Sequence, residues 1–351
     1  MNTINNPGST AVRQPLFSVI IPMYNVSSFV EKCLGSVYSQ DIEEEEYEVI
    51  IVDDCSSDNT LIIVESLTET HDNTLLLKHD KNQKQGSARN TAMRMAKGEY
   101  IVFLDGDDCW QYTNVLTTFK KIIEETHADI VDDRSEYHTI DCNQDVSLTQ
   151  YNGTAEYHHT NTYQLINSDD FLYGPVHAFY KKKLIIDHDV WFADNVQYED
   201  IDWRMRIVYY GKNIVRTDIP FYCYRINPAS TLNSNNAQLQ HDRVSCYKRL
   251  FLFASQDLNP QMKHHLASWI LKDITRFPFF SRKYDISNSL KAIREMRNME
   301  LLEKRIYKSL SPDIIITKTS HFILFLLNHF PLVAIAPYRA MKVIKDSVLR
   351  S

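Results

Sequence analysis

Between residues 16 and 105 short apolar runs alternate with amphipathic segments, the pattern of parallel strands joined by helices. Leu16 to Ile21 is a continuous apolar run closed by Pro22, which suits a strand buried on both faces. Phe29, Val30, Cys33, Leu34 and Val37 then recur at helical spacing, with Asn25, Ser27 or Ser28 available as caps. Tyr47 to Val52 makes a second strand, after an acidic run from Glu43 to Glu46 that reads as a solvated loop. Asn59 to Thr70 predicts a second helix capped by Ser57 or Asp58, and Leu75 to Lys78 a third strand. Ser87 to Lys97 predicts a third helix with Ala88, Ala92 and Ala96 on one face, and Tyr100 to Leu104 a fourth strand. Right-handed crossovers put the strand ends V-D-D (52 to 54) and L-D-G-D-D (104 to 108) along one edge of the sheet. The expected fold class is α/β.

From about 130 to 230 the periodicity loosens, and A-D-I-V-D-D, H-A-F-Y and N-I-V-R-T-D are the candidate strands of a mixed half. Beyond Asn233 the pattern turns helical, notably over Asp242 to Phe253, Gln261 to Ile274 and Ser289 to Leu310. This divides the chain into a polar leader (1–15) expected to be disordered, an α/β domain (16–230) and a helical C-terminal region (231–351).

Composition narrows the class. With 44% hydrophobic and 24% charged residues, the 351-residue chain has the make-up of a globular protein with a sizeable core. Its six cysteines lie far apart without a C-x-x-C pair, which reads as isolated thiols in a reducing, cytoplasmic compartment; no signal peptide is recognisable at the start. Residues 276–351 hold 14 Lys and Arg against 6 Asp and Glu, whereas the net charge of the whole chain is -7. An acidic body argues against nucleic acid as a partner, and a basic tail suits an anionic surface. The apolar stretch 321–337, broken by Asn328, His329 and Pro331 and followed by Arg339, Lys342, Lys345 and Arg350, reads either as an interfacial helix at a membrane surface or as a helix packed on protein, in an oligomer or on the body itself.

Only 8 glycines occur, and three of them (Gly86, Gly98, Gly106) fall in one short stretch with Arg89 and three aspartates. Asp105, Asp107 and Asp108 crowd three carboxylates into four residues after a buried strand, a costly arrangement unless a hard cation such as Mg²⁺ or Mn²⁺ bridges them to a diphosphate. A solvated acidic turn is the plainer alternative. Asp53 and Asp54 end a strand where open α/β sheets bind ligands, or simply cap the next helix. Gly86 allows close backbone approach, and Arg89 suits a base or diphosphate unless it is a surface arginine at a helix start. Glu199 and Asp200 open a helix continued by Trp203, Arg204 and Ile207, so Asp200 is a base or a cap at a helix N-terminus. The adjacent pairs His158-His159 and His264-His265 lack companions at metal spacing and read as ordinary polar positions.

Four stretches in order, SVIIPMYN (18–25), IIVDDCSSDNT (50–60), GSARNTAMRMAKGEYIVFLDGDD (86–108) and YEDIDWRMRI (198–207), together resemble the inverting family 2 glycosyltransferases with the GT-A fold. The resemblance implies a nucleotide-binding sheet with a mixed acceptor-side half, a UDP-sugar donor, a Mn²⁺ or Mg²⁺ cofactor and a glycan or lipid-linked acceptor. It implies that Pro22, Tyr24 and Asn25 line the nucleoside pocket, that Asp54 contacts the nucleobase, and that Gly86 and Arg89 face base or diphosphate. Asp107 then lies near the ribose or metal, with Asp108 or Asp105 completing the metal site, and Asp200 is the catalytic base. YRINPAST (224–231) resembles a family segment near the diphosphate, making Arg225 a phosphate contact; Tyr224 stands where some relatives place a metal-binding histidine. PVHAFYKK (175–182) departs from the family pattern at His177 and Ala178, on the acceptor side. A sugar nucleotidyltransferase and a non-catalytic sugar-nucleotide or polysaccharide-binding protein are the rival classes. The missing glycine-rich phosphate loop near the first strand disfavours the former, and the retention of D-G-D-D with the E-D pair disfavours the latter.

Overall fold

The seven residues of β1 (Phe17–Met23) are all buried, as a continuous apolar run between two parallel neighbours requires. The computed structural model describes residues 14–135, 138–141, 144, 146–168, 170–226, 238–256, 258–276 and 286–329. Their contacts divide into two units: Met1–Asn161, Gly174–Asn195 and Tyr210–Asn227 form the first, and Thr162–Tyr173, Val196–Tyr209 and Pro228–Ser351 the second.

In the first unit β1 is followed by α1 (Val30–Tyr38), β2 (Tyr47–Asp53), α2 (Thr60–Thr68), β3 (Thr74–Lys78), α3 (Lys84–Met95) and β4 (Tyr100–Phe103). The four strands are parallel, in the order β3-β2-β1-β4. The alternation of runs and amphipathic segments therefore locates each element to within a few residues. Two local readings change. The acidic run is a single 3₁₀ turn at Glu44–Glu46, with Glu46 ion-paired to Lys120. Helix α3 starts at Lys84 rather than Ser87, because the Gln83 N–H is captured by the Asp54 carboxylate at 2.8 and 3.0 Å, an anchor supplied by another strand end. Gly86 and Arg89 are thus inside the helix.

The chain continues through β5 (Cys109–Trp110), α4 (Val115–Thr126), β6 (Ile130–Asp133), β7 (His138–Asp141), β8 (Tyr157–Thr160), α5 (Thr162–Ile166), β9 (Ala178–Lys181), α6 (Lys182–Asp187), α7 (Glu199–Tyr210), β10 (Ile214–Thr217) and β11 (Tyr222–Ile226). Strand β9 inserts antiparallel between β4 and β6, and the eight-stranded sheet ends β9-β6-β10-β8. The three candidate strands of the mixed half are β6, β9 and β10. A smaller sheet, β5-β11-β7, pairs β5 antiparallel and β7 parallel to β11. The turn before β4 lies hard against β1: a Cβ at Gly98 would meet Ser18 N at 2.5 Å.

The second unit is helical. Among its described residues α5 and most of α7 join α8 (Gln238–Ala254), α9 (Pro260–Arg276), α10 (Ile286–Asn298), α11 (Lys304–Leu310) and α12 (Lys318–His329). Helix α9 packs on α5, α8, α11 and α12. The helix expected over Ser289 to Leu310 is broken after Asn298, where Glu300 turns to φ 58° and Leu301 N–H closes onto Met296 O at 3.0 Å. In α12 Leu324 and Leu327 are buried. The remainder of the apolar stretch and the basic positions after it lie outside the described residues, as does the leader up to Arg13. No helix among the described residues is long and apolar enough to cross a membrane.

Candidate active site

The parallel strands deliver their carboxyl ends, and the carboxylates on them, to one edge of the first unit. Asp53 is fully buried at the end of β2; its Oδ2 accepts the Ser56 N–H at 3.1 Å, and its Oδ1 has no hydrogen-bond partner among the described residues. Asp54 is also buried, with Oδ1 2.7 Å from His79 Nδ1 and both oxygens on the Gln83 N–H. His79 Nε2 in turn lies 2.9 Å from Thr91 Oγ1 on α3. The carboxylate assigned by resemblance to the nucleobase is thus held within the protein.

The loop after β1 is stitched to the loop after β2. Asn25 adopts φ 53°, its Oδ1 accepts the Ser57 N–H at 2.8 Å, and its own N–H donates to Ser56 Oγ at 3.0 Å. Val26 N–H donates to Thr60 Oγ1 at 2.8 Å. This short polar ladder leaves the Tyr24 ring 45% exposed beside buried Pro22. The aspartate-rich turn closes on the same loop, since a Cβ at Gly106 would come 3.1 Å from Pro22 O and 2.9 Å from Met23 Cγ.

Within that turn the three carboxylates diverge. Asp105 takes the Arg89 guanidinium at 2.7 Å, and Arg89 is itself buried under the rings of Phe103 and Phe192. Asp108 points inward: Oδ2 accepts the Tyr222 hydroxyl at 2.6 Å and Oδ1 the Arg225 N–H at 2.8 Å. Burial, reinforced by Asp107 and Asp105, pushes the Asp108 carboxyl up to about 9, and burial together with Asp108 raises the Tyr222 phenol. Asp107 is half-buried, and its carbonyl accepts Arg225 Nε at 3.2 Å. The Arg225 guanidinium also reaches the carbonyls of Gln144 and Asp141, at 3.0 and 3.4 Å, and is 1% exposed, so the position assigned to phosphate contact serves to hold the turn and the β7 end together. Among the described residues no three acidic, histidine or cysteine side chains converge as a metal-binding group.

Asp200 belongs to the second unit, in the first turn of α7 with Glu199 and Asp202. It is half-buried, and its Oδ1 accepts the N–H of Ile201 at 2.9 Å. Asp202, by contrast, is fully buried on Arg249 at 2.7 Å and Arg206 at 3.2 Å. The residue before the pair, Tyr198, adopts φ 61° and lies under Arg243, 4.8 Å from its ring centroid. Helix α8 thereby fixes the entry to α7: Asp242 accepts Gln197 N–H at 2.9 Å and Arg249 reaches Tyr198 O at 3.5 Å.

Sequence reasoning missed His79, Gln83 and Tyr222. His79 follows β3 as Asp54 follows β2, so strand-end register offered a signal; Tyr222 offered none, since it meets Asp108 only through the pairing of β5 with β11.

Residues 18–189 match the family model described as Glycosyl transferase family 2. The poly(ribitol-phosphate) beta-N-acetylglucosaminyltransferase TarS of Staphylococcus aureus is 39% identical over 121 residues, 33% of this chain but only 20% of that protein. The uncharacterized glycosyltransferase EpsJ of Bacillus subtilis is 26% identical over 314 residues, covering 83% of this chain and 86% of the relative. Among solved structures, S. aureus TarS 1-349 in complex with UDP-GlcNAc superposes with a TM-score of 0.72 at 22% identity, covering 94% of this chain and 92% of that one, a likeness of fold. With its strand-end carboxylates and its D-G-D-D turn, the segment 18–189 is a glycosyl transferase family 2 domain.

Proposed function

We propose that the chain is an inverting glycosyltransferase that moves a sugar from a UDP-sugar to a hydroxyl of a glycan or lipid-linked acceptor in surface polysaccharide synthesis. The observation that carries this reading is the rigid aspartate turn at the sheet edge, pinned by Arg89 on one side and by Tyr222 and the Arg225 N–H on the other. Such pre-set charge suits a ligand whose position must be fixed to a fraction of an ångström. The name of TarS and the UDP-GlcNAc of its complex support a nucleotide-sugar donor and a polymer acceptor.

A divalent ion fits this turn with few protein ligands. Asp108 accepts the Tyr222 hydroxyl and Asp105 the Arg89 guanidinium, and half-buried Asp107 in the same turn is the carboxylate we assign to Mn²⁺ or Mg²⁺. Such ions are commonly held by one or two carboxylates with substrate phosphates and water. When bound, the ion would neutralise charge on the departing diphosphate. The protein's own residues do the rest: Tyr24 and Asn25 present the nucleoside-facing loop, Gly86 and Arg89 carry the edge of α3, and Asp200 takes the acceptor hydroxyl proton as its oxygen attacks the anomeric carbon. A panel of nucleotide sugars titrated with Mn²⁺ or Mg²⁺ tests the reading without knowledge of the acceptor. Saturable binding of a nucleoside diphosphate sugar with slow hydrolysis is expected, and its absence across the panel would refute it.

A further inference from the structure

The six cysteines, read as isolated thiols, are not all isolated. Cys109 on β5 and Cys223 on β11 are register partners in an antiparallel pair, though 114 positions apart in sequence. Gln111 N–H donates to Phe221 O at 2.8 Å, whereas Trp110 N–H turns away to Ser36 Oγ at 3.1 Å. The alternation of an antiparallel ladder therefore makes Cys109 and Cys223 a hydrogen-bonded pair, with Cα atoms about 5.5 Å apart. That separation is within the range of about 4.4–6.8 Å that a disulfide spans. Directly opposed residues project to the same face, and both thiols are buried against Ile140 with Val146 over them. The two thiols interact with each other, and Arg225 Nη2 lies 4.0 Å from Cys109 Sγ.

Burial would make the pair inert were it not for a cavity of about 240 Å³ lined by Lys32, Gly35, Ser36, Ser39, Cys109, Val146 and Leu148. Lys32 and Ser39 on its rim are exposed, and a Cβ built on Gly35 meets nothing within 4 Å. The cavity is large enough for a small neutral molecule, and of the two cysteines Cys109 is the one that lines it. The remaining described thiols differ: Cys33 is buried with Sγ directed at Asp105 O (3.7 Å), Cys55 is half-buried with Sγ directed at Asp80 O (3.6 Å), and Cys246 lies in the second unit.

We infer that Cys109 and Cys223 form an oxidisable dithiol, which hydrogen peroxide entering this cavity converts to a cross-strand disulfide. Cys109 sulfur attacks one peroxide oxygen, breaking the O–O bond; it becomes a sulfenic acid, and the second oxygen leaves as water after taking a proton. Cys223 sulfur then attacks Cys109 sulfur, the S–S bond forms, and the sulfenic hydroxyl leaves with the Cys223 proton as a second water. Two thiols and one peroxide give one disulfide and two waters. Asp108 precedes Cys109 and Tyr222 precedes Cys223, so the bridge would tie the aspartate turn covalently to β11 where hydrogen bonds tie it now.

The test treats the reduced full-length chain with peroxide, denatures and alkylates it, and maps the cysteines by peptide mass spectrometry. A linked Cys109–Cys223 peptide that dithiothreitol reverses is expected, with two of the six thiols lost to alkylation. In Cys223→Ser, Cys109 should accumulate as a sulfenic acid trapped by a dione reagent. Gly35→Leu, which narrows the cavity from the α1 side, should slow bridge formation several-fold. Absence of the linked peptide, a bridge through Cys33, Cys55, Cys142 or Cys246 instead, or oxidation of Cys223 at the wild-type rate in Cys109→Ser would overturn the inference.

Discussion

Tyr222 donates its hydroxyl to Asp108 across 2.6 Å, and this bond joins the aspartate turn after β4 to a strand more than a hundred residues later. Both groups are buried, so neither can exchange the other for water. Tyr222→Phe keeps the ring against Phe221 and His177 and removes the donor to Asp108 together with the acceptor of the Asp105 N–H, 3.3 Å away. Leaving a buried acceptor unsatisfied costs about 1–3 kcal/mol. Urea unfolding should show a loss of that size, and donor titration a weaker affinity, because the turn relaxes. Wild-type values in both assays would mean that the bond positions nothing.

The parallel half was legible because its signals are local: each strand is an apolar run and each carboxylate follows one directly. Asp105, Asp107 and Asp108 were found this way, and so was Asp54. Their partners were not, because those contacts come from topology. Strand β9 runs antiparallel into the middle of the sheet, and β11 reaches back to β5, so Tyr222 and the Cys109–Cys223 pair meet their partners through elements distant in the chain, whereas His79 meets Asp54 across the paired ends of β3 and β2. The direction of a side chain was equally hidden. Arg225 and Asp108 sit in the expected segments but face inward, since buried charge must be satisfied by whatever the fold brings near.

Two glycines should respond oppositely to alanine. A Cβ at Gly98 would press on Ser18 N at 2.5 Å and Phe17 C at 2.6 Å, both main-chain atoms of the central strand that cannot give way. Gly98→Ala is expected at or beyond the upper end of the roughly 1–3 kcal/mol typical of overpacking. Gly35 lies inside α1 with open space at its Cβ position, so Gly35→Ala should stabilise by about 0.5–1 kcal/mol. Denaturant midpoints measured on the two variants decide it; a shift in the same direction for both would contradict the packing described.

Burial holds the His177 imidazole down to about 3, against about 6.5 in an unfolded chain. Between those values the unfolded chain binds a proton that the folded one does not, so stability rises with pH across the window. The stabilisation is therefore present above about pH 6.5 and is lost as pH falls toward about 3. His177→Gln, which does not titrate, should flatten the acid side of the stability profile by up to one proton, about 1.4 kcal/mol per pH unit. An unchanged slope in equilibrium unfolding from neutral to acid pH would place the acid sensitivity elsewhere.

Asp200 is the residue on which the proposed chemistry turns, and replacing its carboxylate by an amide of nearly the same shape separates base from binding roles. The measurement pairs donor titration with single-turnover transfer for Asp200→Asn, once a donor and acceptor have been found. A positioned base contributes about 10²- to 10⁴-fold to rate, so transfer should fall by that order while the donor dissociation constant stays near its wild-type value. Transfer at the wild-type rate would contradict Asp200 as the base, and lost donor binding with an intact fold would move it into the nucleotide or ion site instead.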